Sequence, residues 1–556
     1  MTTAWAAPTA HPPAAGSTWT ALKNGCAPAS NPRLLAEQNP TASCAGRVLF
    51  CRGRASPERS RAQHPVHTAR VIRPRTVLPL LLGTLGTVMA GGGQPAPTPR
   101  SGLAPTPCIY ELPSGFTEPR TADCFTLTVP EWHGRPGRTL TLHGIRLHGT
   151  DPAHHPDPVF YLHGGPGGNV YGPMQEIGAS LVTAAGGRDV IFFNQRGSHL
   201  SSPLTCPNLN SLDDALALLS ADDQVALTAT AAASTFCRDH LRSTGINLNA
   251  YNVGQIAADI DRLRQALGAT QVNLYGVSYG TRVAQEVLRR FPTTVRSAVL
   301  DAPVPADTTA KLPYGTTFTQ ALHGTFAKCA QDATCNETYP DAEARFGALL
   351  ERLDRERPTV SVLNENIGVV TVTLTSSNVL RMIFLSLYRG QPPLHLPGLI
   401  NPAYNGSYNE IAQAVASSLD YGEYDAALEV ITCADGDTGQ SRDTAIGDWP
   451  QVQHWSKQTA ALEHASCAAF QLQRDPLLTQ PVQSKTPTLI LAGGLDPITP
   501  PAYAQVLVPY LTNPQVVVFP HTGHAQVRGG SNCALSLLRA FWATPTAKVN
   551  TRCVGS

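Results

Sequence analysis

The sequence predicts an α/β fold: a mainly parallel sheet flanked by helices, with an inserted and mostly helical lid. Three observations predict it. From Cys108 onward, short apolar runs alternate with segments whose apolar residues recur at helical spacing. The pentapeptide GVSYG, Gly276 to Gly280, follows one such strand and precedes a helix. The alternation lapses from about Pro305 to Ser484 and then resumes.

The chain begins with material of another kind. Its 556 residues carry a formal net charge of +1. Residues 1–90 hold ten Lys/Arg against two Asp/Glu, a net of +8, which leaves −7 on the rest. A mildly acidic body argues against a nucleic-acid or phosphate-binding surface. Residues 1–69 are rich in Ala, Pro, Arg and Ser and show no sustained period, so they read as a disordered or spurious extension. Residues 70–90 read as a signal peptide. Arg70, Arg73 and Arg75 precede an apolar run from Val77 to Ala90, with Val88 and Ala90 at the small-residue positions before a cut. The run is short for a membrane span, and no Cys follows it closely, so no stable membrane anchor is expected. Translation beginning near Val71 would explain its position. A flexible linker is expected over residues 91–107, and a secreted protein, extracellular or periplasmic.

Cysteine usage agrees with export. Beyond the leader cysteines stand ten more: Cys108, Cys124, Cys206, Cys237, Cys329, Cys335, Cys433, Cys467, Cys533 and Cys553. An even number suits disulfides in an oxidising compartment. Pairing neighbours along the chain closes the shortest loops, so five such bridges are expected. No paired C-x-x-C spacing occurs, so no metal is expected.

The elements of the core, residues 108–304 and 485–556, follow in order. CFTLTVPEW and RTLTLHGIRLHG read as a leading antiparallel pair. Val159 to Leu162 and Val190 to Phe193 are short strands. Ile256, Ile260, Leu263 and Leu267 mark one helix face. VNLY is a strand, TRVAQEVLRRF a helix stopped by Pro292, and RSAVLDAPV a strand. TPTLILAGGLDP and PQVVVFPHTGH supply two more. The lid, residues 305–484, combines helical segments with the β-rich patch GVVTVTLTSS.

The chemistry gathers at strand ends. GVSYG fits G-x-S-x-G between a strand and a helix, the context a nucleophile elbow needs, and makes Ser278 the candidate nucleophile. A serine hydroxyl needs a base, and the base a carboxylate that orients it. In such sheets the chain order is Ser, Asp/Glu, His, which selects Asp496 in LAGGLDPITP and His524 in FPHTGH. Asp301 in VLDAPV is a rival acid better read as fixing a loop, and His521 a rival base better read as a strand-end residue. The oxyanion that forms on attack needs backbone N–H donors. Tyr279, after the nucleophile, offers one. The stretch YLHGGPGG offers the other through Gly165, with Gly164 as alternative; Pro166 stiffens the loop and His163 shapes it. No cofactor is expected.

With these residues placed, the chain from about Cys108 to Cys553 resembles secreted α/β-hydrolases of the prolyl aminopeptidase and tripeptidyl aminopeptidase type. HGGPGG, NQRG, DIDRLRQALG, NLYGVSYGTRVAQEVLRRFP, VLDAPV, CADGD, LAGGLDPITP and HTGH carry the resemblance. It implies an α/β-hydrolase fold with a lid, residues 485–556 as a C-terminal region of the tripeptidyl-aminopeptidase kind, and a serine peptidase that releases amino acids or short peptides from free peptide N-termini. Its triad maps onto Ser278, Asp496 and His524. Two positions depart from its pattern: Asn194 stands where Asp is common before Gln-Arg-Gly, and His199 where Gly is frequent. Both are expected to shape the loop around Arg196. Such an enzyme must hold an α-ammonium, and ALEVITCADGD offers Glu429, Asp435 and Asp437, with Asp435 favoured by the resemblance. An esterase or amidase using the same triad is the alternative. A serine nucleophile argues against epoxide or halide displacement, and an unsubstituted triad against a mere binding protein.

Overall fold

A computed structural model describes residues 102–206, 222–364, 368–388, 395–419, 426–436, 447–528 and 531–555. The proposed leader, its cysteines and the signal-peptide segment lie outside these residues, as does Asp437.

The core is a nine-stranded sheet. In chain order its strands are β1 (Leu103–Thr106), β2 (Ala122–Pro130), β3 (Thr139–Leu147), β4 (Val159–Leu162), β5 (Val190–Phe193), β6 (Val272–Val277), β7 (Val295–Asp301), β10 (Thr488–Gly493) and β11 (Gln515–Phe519). The spatial order is β1-β2-β3-β5-β4-β6-β7-β10-β11. The first four strands in that list pair antiparallel, and every pairing from β5 to β11 is parallel. The parallel centre explains its sequences. VFYL, VIFF, VNLYGV and TLILAG are buried at every residue, because helices cover both faces. β1 is a correction to the expected linker. Leu103 to Thr106 pairs along β2, and Pro105 is tolerated there because an edge strand need not donate outward.

Helices α1 (Tyr171–Ala184) and α13 (Asn532–Ala543) cover one face, over a core that includes Met174, Leu181, Phe192, Phe541 and Trp542. On the other face lie α2 (Asp223–Ser243), α3 (Val253–Ala266) and α4 (Tyr279–Arg290). Ile256, Ile260 and Leu263 of α3 face inward as their spacing predicts. Asn252 caps that helix by accepting the Gln255 N–H at 3.0 Å.

Between β7 and β10 the chain builds a third apolar core of its own. The segment comprises α5 (Tyr314–Gln331), α6 (Ala333–Thr338), α7 (Ala342–Glu356), the hairpin β8 (Thr359–Asn364) and β9 (Gly368–Thr373), α8 (Ser376–Tyr388), α9 (His395–Tyr404), α10 (Asn409–Ser417), α11 (Ala427–Ala434) and α12 (Pro450–Phe470), of which α11 and the end of α12 pack into the core over the sheet. Phe318, Phe346, Phe384 and Trp455 fill the centre of the third core.

Among the described residues five disulfides join neighbouring cysteines: Cys108–Cys124, Cys206–Cys237, Cys329–Cys335, Cys433–Cys467 and Cys533–Cys553. Five bridges fit an oxidising compartment. Among the described residues no helix is long and apolar enough to cross a membrane. Cys433–Cys467 ties α11 to α12 across a sequence separation of 34. Replacing both cysteines by serine is expected to cost about 2–4 kcal/mol through the freed unfolded chain. Thermal unfolding of the pair of substitutions against wild type measures it.

Candidate active site

Ser278 sits between β6 and α4 with φ 56° and ψ −126°, a conformation rarely adopted by a side-chain-bearing residue. Its surroundings impose it. The Ser278 N–H donates to the Asp301 carbonyl at 2.9 Å, and its carbonyl accepts the Thr281 N–H at 2.9 Å and the Thr281 hydroxyl at 2.6 Å. Gly280 is required by close approach: a Cβ there would lie 1.9 Å from the Leu162 carbonyl oxygen. The serine is thereby lifted out at the end of the strand, at the start of a helix.

The HGGPGG loop lies against it. A Cβ on Gly164 would fall 2.7 Å from the Ser278 Cβ and 3.2 Å from its Oγ, so only glycine admits the nucleophile there. Gly165, at φ +113°, lines one cavity together with Ser278 and Tyr279. Two residues of the NQRG motif bracket the loop. Gln195 Nε2 donates to the His163 carbonyl at 2.8 Å, and Asn194 Oδ1 accepts the Val170 N–H at 3.0 Å. Asn194 thus serves as an acceptor through Oδ1, while its Nδ2 is buried without a hydrogen bond. His199 has φ 45°, a left-handed backbone that accounts for glycine being frequent there. The His163 ring pairs with the Tyr161 hydroxyl at 2.9 Å. Burial lowers its pKa to about 4, so at neutral pH it is an uncharged part of the loop wall. Arg196 is fully buried, bidentate to Asp259 at 2.7 and 2.6 Å, and holds the loop that follows.

Asp496 and His524 meet at the ends of β10 and β11. Asp496 Oδ2 lies 2.7 Å from His524 Nδ1. Asp496 Oδ1 accepts the Ile498 and Thr499 N–H groups, each at 2.9 Å, and Oδ2 accepts the Thr499 hydroxyl at 2.6 Å. Burial works to raise the Asp496 pKa, but the charge of His524 and hydrogen bonds from His524 and Thr499 outweigh it and hold the carboxyl below its ordinary value. His524 Nε2 is buried without a hydrogen bond, so its bond to Ser278 is not made in this state. That nitrogen is free to accept a hydroxyl proton. His521 is exposed, whereas His524 is buried against Asp496. Thr499 is a partner that reading the sequence missed. Its signal was the DPIT spacing, in which a hydroxyl three residues on turns back to the aspartate.

Asp301 joins the two halves. Its carbonyl takes the Ser278 N–H, while its carboxylate takes the Gln526 N–H at 2.8 and 3.0 Å, the Val527 N–H at 3.3 Å and the Tyr275 hydroxyl at 3.0 Å. It therefore couples the serine turn to the loop just after His524, as its loop-fixing reading expects. Burial raises its pKa to about 6 despite these bonds. The sign follows from linkage: a raised acid contributes stability that is full below its unfolded value of 3.8 and is lost as pH rises through about 6. Asp301→Asn is expected to flatten that loss between pH 4 and 7, seen as a pH-dependent gap between variant and wild-type unfolding midpoints.

The cavity occupies about 1040 Å³. Its wall combines Tyr314, Phe384 and Trp455 with Glu429 and Glu463. Asp435 is a correction. Its side chain is fully buried outside this lining, and its oxygens are engaged by the Val253 N–H at 2.8 Å and the Tyr279 hydroxyl at 2.6 Å. Its carbonyl accepts Arg282 at 2.7 Å. A carboxylate committed to α3, α4 and the residue after the nucleophile has nothing left for a substrate ammonium. Glu429, from the same stretch, does line the cavity. Among the described residues no group of three or more His, Cys, Asp and Glu is disposed to hold a metal.

A family model for the α/β hydrolase fold matches residues 157–527. The chain belongs to that family. This α/β hydrolase is also similar to the putative hydrolase YuaR of Escherichia coli K12, 26% identical over 392 residues, which cover 67% of this chain and 75% of that one. It is similar to serine protease Hip1 of Mycobacterium tuberculosis, 26% identical over 474 residues, covering 78% of this chain and 88% of Hip1. Tripeptidyl aminopeptidase of Streptomyces lividans matches at 28% over 200 residues, only 34% of this chain and 36% of that protein. The hydrolase family and the serine at the strand–helix turn together make the protein a serine hydrolase.

Proposed function

We propose that this hydrolase is a secreted serine aminopeptidase that releases amino acids or short peptides from free N-termini through an acyl-enzyme. Ser278 attacks the scissile carbonyl. His524 takes its proton and later returns it to the leaving amine, and Asp496 holds the imidazole and stabilises its charged form. The N–H groups of Gly165 and Tyr279 receive the oxyanion. The observation that carries the peptide reading is the cavity wall: Glu429 and Glu463 line the same space as Ser278, where a carboxylate can pair with a substrate ammonium. The names of the relatives, a serine protease and a tripeptidyl aminopeptidase, support the same substrate class. The five disulfides support export.

A panel of aminoacyl, prolyl and tripeptidyl anilides, with free or blocked amines, tests this beside simple esters. Free-amine substrates are expected to exceed their blocked partners by at least about tenfold in kcat/KM, the size of one charge-assisted contact. Equal cleavage of both sets would sink the exopeptidase reading. Turnover of esters alone would establish the esterase alternative.

A further inference from the structure

Helix α8 presents one stripe of side chains to the cavity. Arg381, Phe384 and Leu385 line it, and Tyr388 packs its ring 4.5 Å from that of His524. Offsets of three, four and seven residues put all four on the same helix face. At 1.5 Å of rise per residue, Arg381 lies about 10 Å along the axis from the residue that touches the candidate base. The stripe therefore runs from the chemistry, over an apolar middle, to a guanidinium.

The other cationic groups on this wall are already used. Arg282 donates to the Asp435 and Leu478 carbonyls, His454 pairs with Asp223, and Lys311 and Arg357 have partners of their own. Asp354, an acid of the same wall, is engaged through both oxygens by the Ser376 N–H and hydroxyl. Arg381, partly buried, makes no hydrogen bond or ion pair among the described residues. A guanidinium keeps its charge throughout the accessible pH range and offers five donors in a planar fork that matches a carboxylate. Held in a partly apolar cavity without an ion-pair partner, it is arranged for an anion that arrives with the ligand.

We infer that Arg381 binds a carboxylate of the substrate at the end of this stripe, about 10 Å along the helix axis from the residue whose ring packs on His524. This rests on the peptidase reading and narrows it to peptides that carry an acidic side chain at that distance or end there in a free C-terminus. Arg381 is then a specificity-determining residue, and the cavity recognises both charges of a short peptide.

The test uses ratios within each protein, so that a general loss of activity cancels. One series of free-amine peptides is matched as Glu against Gln, scanned along the chain; a second is matched as C-terminal acid against amide. Wild type is expected to favour the carboxylate in one series by about ten- to a hundredfold in kcat/KM, the range of a hydrogen bond to a charged group. Which series responds tells the side chain from the terminus. In Arg381→Gln that ratio should fall to about one, and Arg381→Lys should retain part of it. Ratios near one in wild type for every pair, or an undiminished ratio in Arg381→Gln, overturn the assignment. Calorimetric binding of the same pairs to the Ser278→Ala protein keeps the test separate from turnover. If no peptide is cleaved, the aminopeptidase reading falls, and the binding ratios still decide Arg381.

Discussion

Replacing Ser278 by alanine is expected to lower kcat/KM by about 10⁴- to 10⁶-fold for every substrate the wild type cleaves. The physical basis is the elbow. Serine is held at φ 56° by the Asp301 carbonyl and by Thr281, on a turn whose neighbours leave no room for a second side chain. Alanine keeps the Cβ, and with it the same backbone and the same strain, so the fold should survive while the nucleophile is gone. Unfolding midpoints of variant and wild type should lie within a few degrees. A serine-directed phosphonylating reagent should label the wild type at Ser278 and leave the variant unlabelled. Retention of full activity by Ser278→Ala would remove the whole nucleophilic scheme.

Asp496→Asn is expected to reduce kcat by about 10⁴-fold with a smaller change in KM. The carboxylate accepts four hydrogen bonds, two from backbone N–H groups and one each from Thr499 and His524. An amide nitrogen facing His524 Nδ1 is a donor where an acceptor is needed, so the imidazole turns its proton the wrong way and Nε2 is no longer the base. The same substitution carries a stability signature. Asp496 titrates below its ordinary 3.8 in the folded protein, so its contribution is present above about pH 4 and is lost as pH falls through the lowered value. The wild-type advantage over Asp496→Asn in denaturant should therefore be largest near neutrality and shrink under acid. A constant gap across pH would mean that the charge of Asp496 does not stabilise the fold.

The site was legible in the sequence to the extent that local rules govern it. The turn around Ser278 demands glycines at fixed offsets, and parallel strands buried on both faces demand unbroken apolar runs. Asp496 and His524 follow strands whose ends share one edge of the sheet, so their chain order was enough to single them out. Neighbouring cysteines likewise close short loops. These features depend on spacing along the chain, and spacing is what a sequence displays.

Asp435 marks where that reasoning stops. By residue type and position it is as good an ammonium receptor as Glu429, six residues earlier in the same acidic stretch. What separates them is that Asp435 meets Val253 and Tyr279, more than 150 residues away in the chain, and spends its oxygens there. Asp301 is read as a loop-fixing residue from sequence, yet its grip on the Gln526 and Val527 N–H groups exists only once β7 lies beside β10. Arg381 carries no local mark at all. The sequence by itself determined the fold, the strand-end positions of Ser278, Asp496 and His524, and the glycine loop beside the serine, because backbone geometry and periodicity dictate them. Only the tertiary structure decided which carboxylates are buried against the protein's own donors and which side chains line the cavity, because pairing between distant segments is a matter of packing and not of pattern.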